Sequence, residues 1–114
     1  MTLDDAWAIL RTLQAGIDAR DRDALIALFD ENAVLIGTSA HAADREAVVD
    51  YLTAVADGEP FRWEYTDVVQ FHTDGFAAFG EIVAGDLRAP FRLTLVVKDG
   101  KIANFHGSIP FAGP

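Results

Sequence analysis

Apolar residues recur every three or four positions through the first half of the chain and every second position through the second half. This change of period near Glu59-Pro60 is the strongest constraint on the fold. Leu3, Ala6, Trp7, Leu10, Leu13 and Ile17 mark one face of a first helix, and Asp4, Arg11 and Asp18 mark the other. Thr2 with Asp5 reads as a capping box, and Asp4 and Asp5 also meet the positive end of the helix dipole. Asp21 caps a shorter helix that runs to Phe29 and stops at Asp30-Glu31-Asn32. Ala33 to Ile36 is a short β-branched strand ending at Gly37, and a loop containing His41 leads to Asp44. Asp44 caps a third helix through about Ala56, with Val48, Leu52, Val55 and Ala56 as its buried stripe. Asp57-Gly58 ends it and Glu59-Pro60 blocks its continuation.

The second half alternates. Phe61 to Phe71, Phe76 to Gly85, Phe91 to Val97 and Ile102 to Ile109 are four strand candidates. His72-Thr73-Asp74-Gly75 and Lys98-Asp99-Gly100-Lys101 read as tight hairpin turns, and Leu87 to Pro90 as a looser connection. No repeat, low-complexity tract or linker interrupts the chain, so its 114 residues form one domain, 1–114, large enough for a core without staples. The order α-α-β-α-β-β-β-β makes this an α+β domain whose three N-terminal helices cover one face of a mostly antiparallel sheet.

Several function classes drop out on composition. Without cysteine there is no disulfide, thiolate metal site or cysteine nucleophile. Two acids at positions 4 and 5 stand where a signal peptide carries positive charge, and no apolar run approaches the ~20 residues that cross a bilayer. The expectation is a soluble, cytoplasmic protein. Eighteen acids against nine bases, a formal net charge of −9, repel nucleic acid and anionic lipid, so neither is an expected partner. The three histidines lie far apart without metal-ligand spacing, Ser108 lacks a nucleophile-elbow context, and no glycine-rich phosphate loop exists. No metal or cofactor is expected.

Four segments carry a family resemblance that spans nearly the whole chain. Asp23 to Val34, through Ala24-Leu25, Leu28-Phe29 and Ala33-Val34, is similar to the second helix entering the first strand of the SnoaL-like branch of the nuclear transport factor two-like superfamily. Asp44-Arg45-Glu46-Ala47-Val48 resembles the Gly-Arg-Glu-Ala-Ile segment that opens that family's third helix, with Asp44 in place of the usual Gly. Arg92 to Gly100 and Asn104-Phe105-His106-Gly107-Ser108 resemble the closing hairpin of SnoaL-like domains, and also that of the calmodulin-dependent kinase association domain. The resemblance implies a strongly curved sheet wrapped into a cone-shaped barrel around an apolar small-molecule pocket, and homodimers formed through the sheet. It does not imply one activity, because isomerases, dehydratases, cyclases, epoxide hydrolases and non-catalytic modules share the fold. The catalytic positions of ketosteroid isomerases align near Gly37, Leu13 and Leu93, whose side chains cannot transfer a proton, so that activity is excluded. The Asp-Arg-Asp arrangement of limonene epoxide hydrolases has no counterpart either.

Turn geometry decides which side chains meet, because alternate residues of a strand share a face. A three-residue Lys98-Asp99-Gly100 loop pairs Val97 with Lys101. It puts Phe91, Leu93, Leu95 and Val97 on the pocket face with Phe105 and Gly107, and Arg92, Thr94, Asn104 and His106 on the other. A two-residue turn instead sets Leu93 beside His106 and brings the imidazole into the pocket. In the first long hairpin, a left-handed Gly75 puts Trp63, Tyr65, Asp67, Val69 and Phe71 on one face and Asp67 opposite Glu81. Such a carboxylate pair, with one pKa raised, can act as general acid and base; a two-residue turn abolishes it. The candidate catalytic residues are therefore Asp67, Glu81 and Tyr65, with His106 in reserve. The candidate ligand-binding residues are Trp7, Leu13, His41 (at the pocket mouth), Trp63, Phe79, Phe91, Leu93 and Phe105. Plain core, rim or solvated roles remain open for each.

Two functions stay open. One is a cofactor-independent isomerase, dehydratase or cyclase moving protons on a small, apolar, oxygenated substrate. The other is a non-catalytic dimeric module for ligand binding or self-assembly.

Overall fold

In the computed structural model the described residues are 1–37, 41–57 and 62–107, with side chains described for all of these except 55–57. The polar-apolar period produces α1 (Leu3–Ala19), α2 (Arg22–Leu28) and α3 (Arg45–Asp57), and six strands: β1 (Phe29–Ile36), β2 (His41–Ala43), β3 (Arg62–His72), β4 (Gly75–Ala84), β5 (Leu87–Lys98) and β6 (Lys101–Gly107). The strands form one curved sheet in the order β2-β1-β6-β5-β4-β3, antiparallel except where β1 lies parallel to β6. The sheet is open, with β2 and β3 as its edges, rather than closed into a barrel.

The local signals at the helix starts are realised. Asp5 N–H donates to Thr2 Oγ1 (3.2 Å) and Thr2 N–H donates to Asp5 Oδ2 (2.9 Å), which satisfies two donors that the first turn leaves free. Asp21 Oδ1 accepts from Ala24 N–H at 3.1 Å. One concave face takes all three helices, and Ala6, Leu10, Leu13, Ile17, Leu25, Val48, Val49 and Leu52 bury there against Phe29, Leu35, Phe76, Leu93, Leu95 and Phe105. Leu3, expected on the buried stripe, is 46% exposed. The side chains of Val55 and Ala56 in the expected α3 stripe, the stop signals at 58–60, the Phe61 strand start, and Ser108 and Ile109 lie outside what is described.

Strand boundaries differ from the expectation in three places, each for a packing reason. β1 starts at Phe29, because this fully buried ring pairs with Ile102; the polar triplet expected to end α2 is accommodated as a bulge before Val34 pairs with Asn104. The His41 loop contains β2, which pairs with β1 through Ile36 and His41. Leu87 to Pro90 is strand, since Gly85 (φ 60°) and Asp86 form a two-residue turn and Ala84 pairs with Leu87. Pro90 is compatible with a strand there because the described pairs with β6 end at Leu93, so no second neighbour demands its missing N–H.

Both long hairpins close on two-residue turns, against the expected three. Asp99 (φ 52°) and Gly100 (φ 80°) make a primed turn, so Lys98 pairs with Lys101 and Val97 with Ile102. Ala103 then bulges, and Leu95 meets Phe105 while Thr94 meets His106. The expected faces are thus recovered by a different route, and the imidazole stays on the outer side. In the first hairpin His72 pairs with Gly75, which is not left-handed, and β3 bulges at Phe71 and Thr66.

Candidate functional site

Trp63 and Tyr65 project from β3 onto the concave side, where they meet α1. Trp63 N–H donates to Gln14 Oε1 of α1 at 3.1 Å, which ties the edge strand to the helix. The Tyr65 ring stands edge-on to Trp7 (6.2 Å) and to Phe91 (5.6 Å), and Trp63 packs at an angle on Phe91 (6.5 Å) and Phe105 (5.9 Å). Five aromatic rings from α1, β3, β5 and β6 therefore form one cluster against the helices. The Tyr65 hydroxyl is shielded from water and has no hydrogen-bond partner among the described residues. Burial pushes its ionisation far above the usual phenol range, so it stays a donor at neutral pH. Among the described residues no charged or polar side chain is fully buried.

Five other sequence candidates belong to this concave side. Leu13 and Leu93 are fully buried in the core, Phe91 and Phe105 are nearly so, and Trp7 is half-buried beside them. The remaining candidates do not join it. The Thr66 bulge pairs Tyr65 with Gly80 and Asp67 with Phe79, so the expected Asp67–Glu81 pair does not form. Asp67 and Glu81 are both exposed, and Glu81 stands across from Glu64 instead. Like charges opposite one another are unfavourable, and arginines relieve this pair. Arg88 reaches Glu64 Oε1 at 2.9 Å and Glu81 Oε1 at 3.3 Å, while Arg62 reaches Glu64 Oε2 at 2.6 Å. Hydrogen bonds from Arg62 and then Arg88 hold the Glu64 carboxyl below the usual carboxylate range. Phe79, expected inside, faces out and is 36% exposed. His41 is exposed on the edge strand β2.

His106 lies with Thr94 on the outer side of the sheet. Together with Phe79, Pro90, Phe91 and Arg92 they line a cavity of about 550 Å³. Arg92 was legible as an outward residue, but nothing in the linear chain distinguishes it from Arg62 and Arg88, which are neutralised by register. That difference exists only once β3, β4 and β5 are paired.

Residues 10–105 match the model of the SnoaL-like domain. The chain belongs to the SnoaL-like domain family. No curated protein matches it. Solved structures similar to this SnoaL-like domain include a candidate polyketide cyclase from Sinorhizobium meliloti, at 17% identity and a TM-score of 0.79, covering 89% of this chain and 94% of that one. A candidate isomerase of the SnoaL-like family from Agrobacterium tumefaciens matches at 16% identity and a TM-score of 0.78, covering 94% and 98%. A candidate ketosteroid isomerase from Kribbella flavida matches at 18% identity and 0.77, covering 97% and 82%. At these identities the SnoaL-like domain shares their fold, and the likeness extends no further. No helix among its described residues is long and apolar enough to cross a membrane.

Proposed function

We propose that this chain binds a small, largely apolar, oxygenated molecule on the concave side of its sheet, with the Tyr65 hydroxyl donating to an oxygen of that molecule. The observation that carries the reading is the Tyr65 hydroxyl, shielded from water and without a partner among Trp7, Phe91 and the core. A buried donor left unsatisfied costs about 1–3 kcal/mol, which a ligand oxygen would recover. A phenol held protonated in an apolar setting can also stabilise charge that develops on a carbonyl oxygen. That is the electrophilic half of a proton shift such as a cofactor-independent isomerase, dehydratase or cyclase catalyses, and structures of the same fold include a candidate polyketide cyclase and a candidate isomerase. Asp67 and Glu81 do not supply the base half, because they stand exposed on the other side.

A panel beginning with 1-tetralone, a small apolar ketone, tests this through quenching of Trp7 and Trp63 fluorescence. Tyr65→Phe is expected to weaken binding about tenfold, the worth of one hydrogen bond, while the unliganded protein loses no stability. Equal affinity of the two proteins for every ketone that binds would sink the reading.

The second reading, a non-catalytic dimeric module, is favoured by the outer face, where Ile36, Val69 and Phe79 are exposed near Phe71. Sedimentation as a monomer at high micromolar concentration would remove it.

A further inference from the structure

The outer face of the sheet carries an ordered set of rows. Asp67, Phe79 and Arg92 lie side by side on β3, β4 and β5. The next row runs Val69, Ala77, Thr94, His106, Ile36 and His41 across all six strands. Arg92 and Thr94 are two residues apart and so share this face with His106. The cavity of about 550 Å³ sits over them, within the range of small-molecule sites. A recess of about 180 Å³ continues past Thr94 and His106 to Val34 and Ile36.

Charge makes this cavity unusual within the molecule. Acids outnumber bases two to one. The arginines next along the face, Arg62 and Arg88, are both held by Glu64, and Arg88 also by Glu81. The Arg92 and His106 side chains, by contrast, make no hydrogen bond or ion pair among the described residues. Two carboxylates lie near Arg92 by register, Glu81 diagonally across on β4 and Asp67 beyond Phe79 on β3; Glu81 pairs with Arg88, and neither forms an ion pair with Arg92 among the described residues. Arg92, Thr94 and His106 thus line one cavity with their side-chain donors unpaired among the described residues, beside Phe79, Pro90 and Phe91.

We infer that this outer cavity binds a small organic carboxylate. The acid group is held by the Arg92 fork with help from Thr94 and His106, and an aryl or alkyl body lies along Phe79 and Pro90. The lining also includes Gly37 and Gly107, so the site meets the rim of the concave side proposed above, and Phe91 is the aromatic ring common to both. The acidic field of the whole chain opposes any anion, so a bare anion gains too little here and the apolar body is required for binding.

Benzoate, benzamide and acetate are the probes, followed through the backbone amide resonances of the ¹⁵N-labelled full chain. Benzoate is expected to shift Phe79, Arg92, Thr94 and His106 with a millimolar Kd and to leave Trp7 and Tyr65 in place. Acetate, which lacks the body, and benzamide, which lacks the charge, should each bind at least about tenfold more weakly. Arg92→Gln should cost about ten- to a hundredfold, and Arg92→Lys, which keeps charge without the fork, less. The inference is overturned if benzamide matches benzoate, if Arg92→Gln leaves the affinity unchanged, or if the shifts map to Trp7 and Tyr65. It is also overturned if the protein sediments as a dimer and none of these resonances responds, since a second copy then covers the face. None of these outcomes bears on the Tyr65→Phe ketone test, so the two sites stand or fall separately.

Discussion

Asp44 combines two local demands that usually fall on different residues. Its backbone is left-handed (φ 70°), a conformation that costs an ordinary side chain about 1–2 kcal/mol and suits glycine. Its carboxylate Oδ1 also accepts from Ala47 N–H at 2.9 Å and caps α3. The glycine usual in the resembling segment satisfies the first demand; Asp44 gives up some conformational ease for the cap. Asp44→Ala loses both and should destabilise by about 1–2 kcal/mol in urea melts, whereas Asp44→Gly should lie within about 0.5 kcal/mol of the parent. An Asp44→Ala protein as stable as Asp44→Gly would show that neither demand matters. Devices of this kind are readable from sequence because their atoms lie three residues apart. The Thr2–Asp5 box and the Asp21 cap were legible for the same reason.

Among the elements, the strands were legible and their register was not. Alternation located β3 to β6 within a few residues, yet both hairpins close on two-residue turns and are re-phased by bulges at Phe71, Thr66 and Ala103. A bulge has no composition signature of its own; it appears where core packing on one side of a strand outweighs the pairing that the turn imposes. Ala103 keeps Phe105 inside in this way, and Thr66 puts both Tyr65 and Val68 inside while Asp67 turns out. The Thr66 bulge depends on Gly80, where an added Cβ would stand 1.9 Å from the Glu64 carbonyl oxygen. Gly80→Ala should therefore cost more than about 2 kcal/mol and displace the Glu64–Arg88 contact, seen as a lowered urea midpoint with shifted Glu64 and Glu81 resonances. A neutral Gly80→Ala would mean that β3 and β4 pair in another register.

At the level of the whole molecule, stability rests on one core shared by the helices and the concave face. Phe105 is central to it: nearly fully buried, paired to Leu95 on β5 and Leu35 on β1, and packed on Trp63. Phe105→Ala should remove about 3–5 kcal/mol. A domain of this size holds about 5–15 kcal/mol in all, so the loss should appear as a large drop in Tm or as outright unfolding. A drop of only a few degrees would place the core elsewhere. Sequence alone determined the three helices, the long strands, the α+β class and the SnoaL-like resemblance, because periodicity and local caps are carried by neighbours in the chain. Tertiary structure decided where the candidate residues stand. It separated Asp67 from Glu81, gave Glu81 to Arg88, and, among the described residues, left the Tyr65 hydroxyl shielded and unpaired and the Arg92 and His106 side chains unpaired beside a cavity. The physical reason is that a one-residue bulge reverses which face a side chain occupies, and only the competition for the core decides where the bulge falls.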